Sequence, residues 1–137
     1  MARMTRTSFL FSAAGAAALS GTAAAQAQRV FELRTYYTLP GRLPNLLARF
    51  RNHTAKLFEK HGITNIGYWV PADAPGSENT LIYLLAYPSR EAAKRSWDAF
   101  RADADWLQAR AESEKDGKIV DRIESVYLHP ADFSALR

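Results

Sequence analysis

From residue 29 onward the chain is divided into short hydrophobic segments with two different periodicities. Four segments are rich in β-branched, leucine and aromatic residues and predict strands, at 29–38, 63–71, 79–87 and 119–129. Two longer segments, 42–61 and 89–115, repeat their apolar positions every three or four residues and predict helices. The order β-α-β-β-α-β predicts an α+β fold of the ferredoxin-like type, in which helices cover one face of a four-stranded antiparallel sheet.

The first predicted helix lies between the turn Leu39-Pro40-Gly41 and a stop at Gly62. Its apolar stripe consists of Leu43, Leu46, Leu47, Phe50, Thr54, Leu57, Phe58 and His61. The charged residues are predicted to lie away from the stripe, and these are Arg49, Arg51, Lys56, Glu59 and Lys60. The second segment predicts two short helices or one kinked helix, because Ser89 and Asp105 both have the pattern of an N-cap.

Alternation along the first strand separates an apolar set of side chains, Phe31, Leu33 and Thr35, from a polar set. The polar trio is Glu32, Arg34 and Tyr36. We expect the apolar set to pack beneath the helices, so the polar trio is predicted to face the open side of the sheet, with Tyr83 beside it. A buried arginine needs a partner. Arg34 is therefore either in a structural ion pair with Glu32 or Glu124, or it binds an anionic ligand.

Residues 1–27 differ from the rest of the chain. Arg3 and Arg6 precede an uncharged stretch at 8–19, no acidic residue occurs, and the segment ends in Ala25-Gln26-Ala27. These features predict a signal peptide over 1–27, followed by a periplasmic or secreted domain over 28–137. A mitochondrial transit peptide is the alternative, and the export route, general secretory or twin-arginine, stays open. No later segment approaches the roughly 20 apolar residues of a membrane span, so none is predicted in the mature protein.

Composition narrows the range of partners. Without Arg3 and Arg6 the 18 basic residues fall to 16 against 14 acidic ones, a net charge of +2, and the two signs are interspersed. This pattern argues against nucleic-acid binding. The chain has no cysteine, which excludes thiol catalysis and favours a hydrophobic core aided by self-association.

Candidate chemistry is sparse. No zinc, dinucleotide, phosphate-loop or nucleophile-elbow motif occurs, so neither a metal nor a cofactor is predicted. His61 either ends the first helix as a partly buried imidazole or acts as a proton donor or metal ligand. Strand aromatic residues either pack in the core or line a ligand cavity. The candidate ligand-binding residues are Glu32, Arg34, Tyr36, His61, Trp69 and Tyr83, and catalytic residues stay unknown.

Several short strings, in order and at matching spacing, resemble the NIPSNAP family, a branch of the dimeric α/β-barrel proteins. They span about residues 29–130 and consist of Glu32-Leu33-Arg34-Thr35-Tyr36, Leu39-Pro40-Gly41, Lys60-His61-Gly62, Gly67-Tyr68-Trp69, Tyr87 before Ser89-Arg90-Glu91-Ala92, Trp106 and Ser125. The resemblance implies a ferredoxin-like protomer whose sheet pairs face to face with that of a second copy in a homodimeric α/β barrel.

The resemblance brings no settled reaction, so it leaves open whether the protein is an enzyme. Its barrel relatives include cofactor-free monooxygenases, haem-degrading enzymes and dye-decolourising peroxidases, and likeness of fold is weak evidence for activity. The favoured hypothesis is an exported protein that binds a small acidic or aromatic molecule in the barrel. The alternatives are a cofactor-independent monooxygenase or isomerase that uses His61 or Tyr36 for proton transfer, and a haem-binding barrel with an axial histidine.

Overall fold

The computed structural model describes residues 29–137; the predicted signal peptide lies outside the described residues. The strands are β1 (Val30–Thr38), β2 (Thr64–Trp69), β3 (Thr80–Tyr87) and β4 (Val120–Leu128). Helix α1 consists of Leu43–Arg49, a π-helical turn at Phe50–Thr54, and Ala55–Lys60. The other helices are the short α2 (Gly76–Asn79), α3 (Arg90–Ala102) and α4 (Ala104–Ser113).

The four strands form one antiparallel sheet in the order β2-β3-β1-β4. Helices α1, α3 and α4 cover one face of it, as the hydrophobic periodicity predicts. The ferredoxin-like arrangement is therefore confirmed. None of the helices within residues 29–137 has the length and apolar content needed to cross a membrane.

The second helical segment is interrupted at Asp103. The backbone there is extended, with φ −69° and ψ 125°, and the residue ends α3 and begins α4. Its carboxylate accepts a hydrogen bond from the backbone N–H of Asp105 at 2.8 Å. Ser89 caps α3 in the same way, accepting from the N–H of Ala92 at 3.1 Å. The segment therefore forms two short helices and not one kinked helix.

The prediction that Arg49 lies away from the core is wrong. Arg49 is 5% exposed, because α4 packs against the flank of α1 from which this side chain projects. The π-helical turn begins directly after it, and the hydroxyl of Thr54 donates to the carbonyl oxygen of Arg49 at 3.4 Å. Turns of this kind are rare and occur often at functional sites.

The predicted orientation of β1 is also wrong. The polar trio of Glu32, Arg34 and Tyr36 lies on the face that the helices cover, because the indole of Trp97 in α3 donates to Glu32 and the ring of Phe50 in α1 packs against Tyr36 at 5.8 Å. The trio is tolerated there because its polar groups find partners within the core, so burial leaves no charge unpaired.

The open face of β1 is consequently the more apolar of that strand's two faces, although β4 adds the exposed charges of Arg122 and Glu124 to the same side of the sheet. Register places Leu33 of β1 between Leu84 of β3 and Val126 of β4, and the next row joins Phe31 to Ala86 and Leu128. Large apolar side chains remain in contact with solvent on this face and at its β2 edge: Trp69 is 54% exposed, Val126 48% and Leu128 38%. A face of this kind is typical of an interaction surface.

Candidate functional site

Glu32 is the centre of a buried hydrogen-bond cluster. Its side chain is 2% exposed and accepts from four donors on four elements. The donors are Arg34 Nη1 at 2.7 Å, Trp97 Nε1 at 3.0 Å, Tyr87 Oη at 2.5 Å and Ser125 Oγ at 2.5 Å. Burial alone would raise the pKa of Glu32, but the bonds from Ser125 and Tyr87 and the charge of Arg34 hold it below its ordinary value. Glu32 is therefore a structural anion.

Arg34 is held on all sides within the same cluster. Besides Glu32, its Nε donates to the hydroxyl of Tyr83 at 2.9 Å and its Nη2 to the hydroxyl of Tyr36 at 3.3 Å. The guanidinium also lies 4.4 Å from the centre of the Trp97 ring, a cation–π distance. Burial opposes its charge, yet Tyr36, Tyr83 and Glu32 together raise the pKa of Arg34. Of the two sequence-based interpretations, the contacts favour the structural ion pair, with Glu32 as partner.

A cavity of about 520 Å³ opens between the β1–β4 side of the sheet and helices α1, α3 and α4. Its walls carry the aromatic side chains Tyr36, Phe50, Phe58, Trp97, Phe100 and Trp106. Its basic side chains are Arg34, Arg49, Arg101, Arg110 and Lys118. Glu114 is the one carboxylate among its lining residues. The cavity therefore combines an apolar interior with a marked excess of positive charge.

Arg49 is the least satisfied of the buried cations in this cavity. Its Nη1 makes two long contacts, 3.3 Å to Ser113 Oγ and 3.4 Å to Glu114 Oε1. Its Nε is buried and has no hydrogen-bond partner among residues 29–137. The guanidinium lies 5.3 Å from the Trp106 ring centre. Burial lowers the pKa of Arg49, only partly opposed by Glu114, whereas the pKa of Arg34 is raised. Arg49 thus has donors to offer to a bound anion.

Four of the six candidate residues lie together. Glu32, Arg34, Tyr36 and Tyr83 form one cluster, and Arg34 and Tyr36 also line the cavity. Their predicted position on the open face is wrong, but their predicted proximity is confirmed. His61 and Trp69 are placed elsewhere.

His61 belongs to an ion cluster at the end of α1. Its Nε2 lies 2.6 Å from Asp103 Oδ2, and Lys60 Nζ lies 2.7 Å from the same oxygen. Hydrogen bonds from Lys60 and His61 hold the pKa of Asp103 well below its usual range. The cluster fastens the end of α1 to the α3–α4 junction, and His61 does not line the cavity.

Trp69 lies at the end of the edge strand β2, on the open face. Its ring folds back over Gly67, so closely that a Cβ atom at Gly67 would come within 2.4 Å of it. A side chain at position 67 would therefore displace the exposed indole from this position. Trp69 is available to a partner on that face and has no access to the cavity behind the sheet.

The cationic lining of the cavity was missed by sequence reasoning. Arg49, Arg101, Arg110 and Lys118 come from three helical segments and a loop, and no motif links them. Arg101 and Arg110 lie on the two sides of the helix break at Asp103, which is the only sequence signal for them, and Arg49 and Lys118 lie outside that region. Within residues 29–137 no three His, Asp or Glu side chains are grouped so as to hold a metal ion.

The fold and site define a class: a small ferredoxin-like α+β domain with an apolar open sheet face and a cationic, aromatic cavity behind the sheet. The NIPSNAP family model matches residues 31–135, and the chain belongs to this family. A comparison with curated proteins gives no match.

Solved structures of NIPSNAP proteins share the fold. One from Agrobacterium tumefaciens, of unknown function, has a TM-score of 0.68 at 22% identity, covering 81% of this chain and 96% of that one. A second from the same organism has a TM-score of 0.69 at 23% identity, covering 80% and 99%. An uncharacterised NIPSNAP-like domain protein from Burkholderia xenovorans has a TM-score of 0.68 at 19% identity, covering 79% and 90%.

Proposed function

We propose that this NIPSNAP protein binds a small organic acid with an aromatic or apolar body in the cavity between its sheet and its helices. The observation that supports it most is the composition of the cavity wall: among residues 29–137, five basic side chains and one carboxylate, Glu114, line a largely aromatic interior. The proposal keeps the ligand class expected from the sequence, a small acidic or aromatic molecule, and moves its site from the barrel interior to the helix side of the sheet.

Charge and size both support this ligand class. Several like charges around one cavity repel each other, and an entering anion relieves that repulsion. Screening by water is weakest at the buried Arg34 and Arg49, whereas Arg101, Arg110 and Lys118 are exposed. The volume of about 520 Å³ is within the range of small-molecule sites, which combine apolar walls with a few polar groups. The rings of Phe100 and Trp106, 4.7 Å apart and tilted by 31°, provide an aromatic part of the wall.

Arg49 and Arg110 are the groups assigned to the ligand's acid. Arg34 is already engaged by Glu32, Tyr36 and Tyr83, so it contributes positive charge at the inner end rather than free donors. Arg49 retains a buried Nε without a partner in the described part of the chain. Arginine suits this role because its planar fork of donors matches the two oxygens of a carboxylate.

A matched pair of probes tests the proposal: 2-naphthoate and its neutral amide, 2-naphthamide. Calorimetric titration should give saturable binding of the acid, much weaker binding of the amide, and loss of acid affinity as salt is added. The indole N–H signals of Trp97 and Trp106, which line the cavity, should shift on titration, while that of Trp69, across the sheet, should not. Equal binding of both probes, or a shift confined to Trp69, would refute the proposal.

We also propose that two copies pair their open sheet faces as a homodimeric α/β barrel. The row of Leu33, Leu84 and Val126 is continuous across three strands, and exposed Trp69 lies on the same face. A second copy of the same apolar face is the occupant with matching chemistry, since a two-fold axis pairs a surface with itself. Sedimentation equilibrium should return twice the protomer mass.

We further propose that the domain is exported after removal of residues 1–27.

A second candidate, cofactor-independent oxygenation or isomerisation, rests on Tyr36. Its hydroxyl borders the cavity 3.3 Å from Arg34 Nη2, a position from which it can exchange a proton with a bound phenol or enol. Oxygen uptake with an electron-rich phenolic acid, lost in Tyr36→Phe, would support oxygenation. If the wild-type protein consumed no oxygen with such a substrate, this candidate function would be excluded. The haem alternative is less well supported, because none of the cavity-lining residues within 29–137 is a histidine.

A further inference from the structure

Glu114 places one negative charge inside the cationic wall of the cavity. Its Oε1 lies 3.4 Å from Arg49 Nη1 and 3.7 Å from Arg110 Nε, so one oxygen lies between two guanidinium groups. These are the two arginines that the proposed function assigns to the ligand's acid group. We call the space between them the acid position.

Both contacts of Glu114 are loose. Ion pairs with good geometry have N–O distances of about 2.7–2.9 Å, and the other buried pair of this protein, Arg34 with Glu32, meets that standard at 2.7 Å. The two pairs thus differ although both lie beside the same cavity. Glu32 is fixed by four donors, whereas Glu114 holds its arginines only partly and leaves Arg49 Nε without a partner in residues 29–137.

Glu114 is also placed where its side chain can leave the cavity at little cost. It follows the last residue of α4, Ser113, where the helix dipole disfavours an acidic side chain. The side chain is 26% exposed, so water can take up the carboxylate. The chain then turns through Gly117, whose φ of 127° is accessible to glycine. Rotation of one side chain at a helix end therefore requires no rearrangement of the core.

We infer that Glu114 occupies the acid position of the unliganded cavity and that the acid group of the ligand displaces it from Arg49 and Arg110. The inference rests on the proposed function and adds to it the regulation of the same site. Glu114 gives the buried Arg49 an ionic partner while no ligand is bound, and it competes with every incoming acid. Anions that pair poorly with Arg49 are thereby excluded, and an anion that forms good hydrogen bonds with its guanidinium is bound.

Neutralising the competitor provides the test. Glu114→Gln should raise the affinity for 2-naphthoate by about three- to tenfold, the effect of removing one partly exposed ion pair from the unliganded state. Affinity for 2-naphthamide should stay within about twofold of wild type, because the amide does not compete for the arginines. Glu112→Gln is the matched control: it makes the same charge change two residues earlier, but Glu112 is 70% exposed, pairs with Lys115 and does not line the cavity. It should leave both affinities unchanged.

Arg49→Gln tests the other side of the pair, because it removes the arginine that binds the acid. It should lower the affinity for 2-naphthoate at least tenfold and leave the affinity for 2-naphthamide unchanged. If that variant does not fold, the comparison of Glu114→Gln with Glu112→Gln decides alone. An acid affinity in Glu114→Gln that equals that of Glu112→Gln or of wild type overturns the inference. Wild-type protein that binds acid and amide equally, or neither, overturns the proposed function instead, so the two failures are distinguishable.

Discussion

The indole Nε1 of Trp97 donates a hydrogen bond of 3.0 Å to Oε1 of Glu32, which joins helix α3 to the central strand of the sheet. The same nitrogen lies 2.7 Å from the hydroxyl of Tyr87, which in turn donates to Glu32. The buried carboxylate is thus satisfied by one donor from the helical layer, Trp97, together with donors from the sheet itself. This arrangement explains how a charged pair is accommodated beneath the helices of so small a domain.

Removing the charge of Glu32 should destabilise the fold strongly. In Glu32→Gln the guanidinium of Arg34 loses its ionic partner in the core, and we expect the free energy of unfolding to fall by about 3–5 kcal/mol. Arg34→Met should cost a similar amount, because it leaves Glu32 unpaired. Urea unfolding followed by far-ultraviolet circular dichroism measures both, with the exposed Glu112→Gln as control. A loss below about 1 kcal/mol would contradict the assignment of Glu32 and Arg34 as a structural pair.

Trp97→Phe isolates the hydrogen bond between the helix and the sheet. The substitution keeps an aromatic ring against Phe58 and Phe100 but removes the indole donor to Glu32. We expect a loss of about 1–3 kcal/mol in the free energy of unfolding. Trp106→Phe, whose indole packs on Phe100 at the cavity, should cost less. Equal losses in the two variants would mean that ring size, rather than the bond to Glu32, determines the effect.

Stability should rise with pH in the acid range because of Glu32. Burial would raise its pKa, but its hydrogen bonds to Ser125 and Tyr87 and the charge of Arg34 depress it below the ordinary value of 4.5. The unfolded chain therefore binds the proton more tightly, so this contribution is complete above about pH 4.5 and is lost as the pH falls through the lower folded pKa. Unfolding curves between about pH 3 and 7 should show a gap between wild type and Glu32→Gln that narrows towards acid pH. A gap independent of pH would refute this.

Assembly through the open sheet face should be sensitive to charge. Val126, 48% exposed on that face, faces Leu33 across the register of β1 and β4. Val126→Lys should convert the expected homodimer into a folded monomer, because two lysines would be buried against each other at a two-fold interface. Leu107→Lys is the matched control, since Leu107 is 52% exposed on α4 and away from the sheet. Sedimentation equilibrium measures the oligomeric state. A monomeric wild-type protein, or a dimeric Val126→Lys variant, would contradict the homodimeric barrel.

If the protein is exported as predicted, its mature chain has a defined N-terminus. Cleavage after Ala27 gives a protein that begins at Gln28 and has lost Arg3 and Arg6. Intact mass and N-terminal sequencing of protein recovered from the extracytoplasmic fraction should show this product. Ala27→Glu should leave the precursor uncut, because the processing site requires a small residue. Full-length wild-type protein retained in the cytoplasm would exclude the signal peptide.

The sequence by itself determined the elements and their order. Periodicity located the strands and helices because side chains alternate every residue in a strand and recur about every 3.6 residues in a helix. The proximity of Glu32, Arg34 and Tyr36 followed from the same rule, and the family resemblance was confirmed by the match over residues 31–135.

Only the tertiary structure decided which face of β1 the helices cover. Alternation shows which residues share a face. The rule that apolar residues lie inside fails for β1, because its polar trio is fully paired beneath the helices and its more apolar face is left uncovered by them. The cavity likewise depends on packing: Arg49 meets Glu114, 65 residues later in the chain, because α4 lies against the flank of α1. No local pattern encodes such a meeting, because its energy comes from layers that must first be assembled.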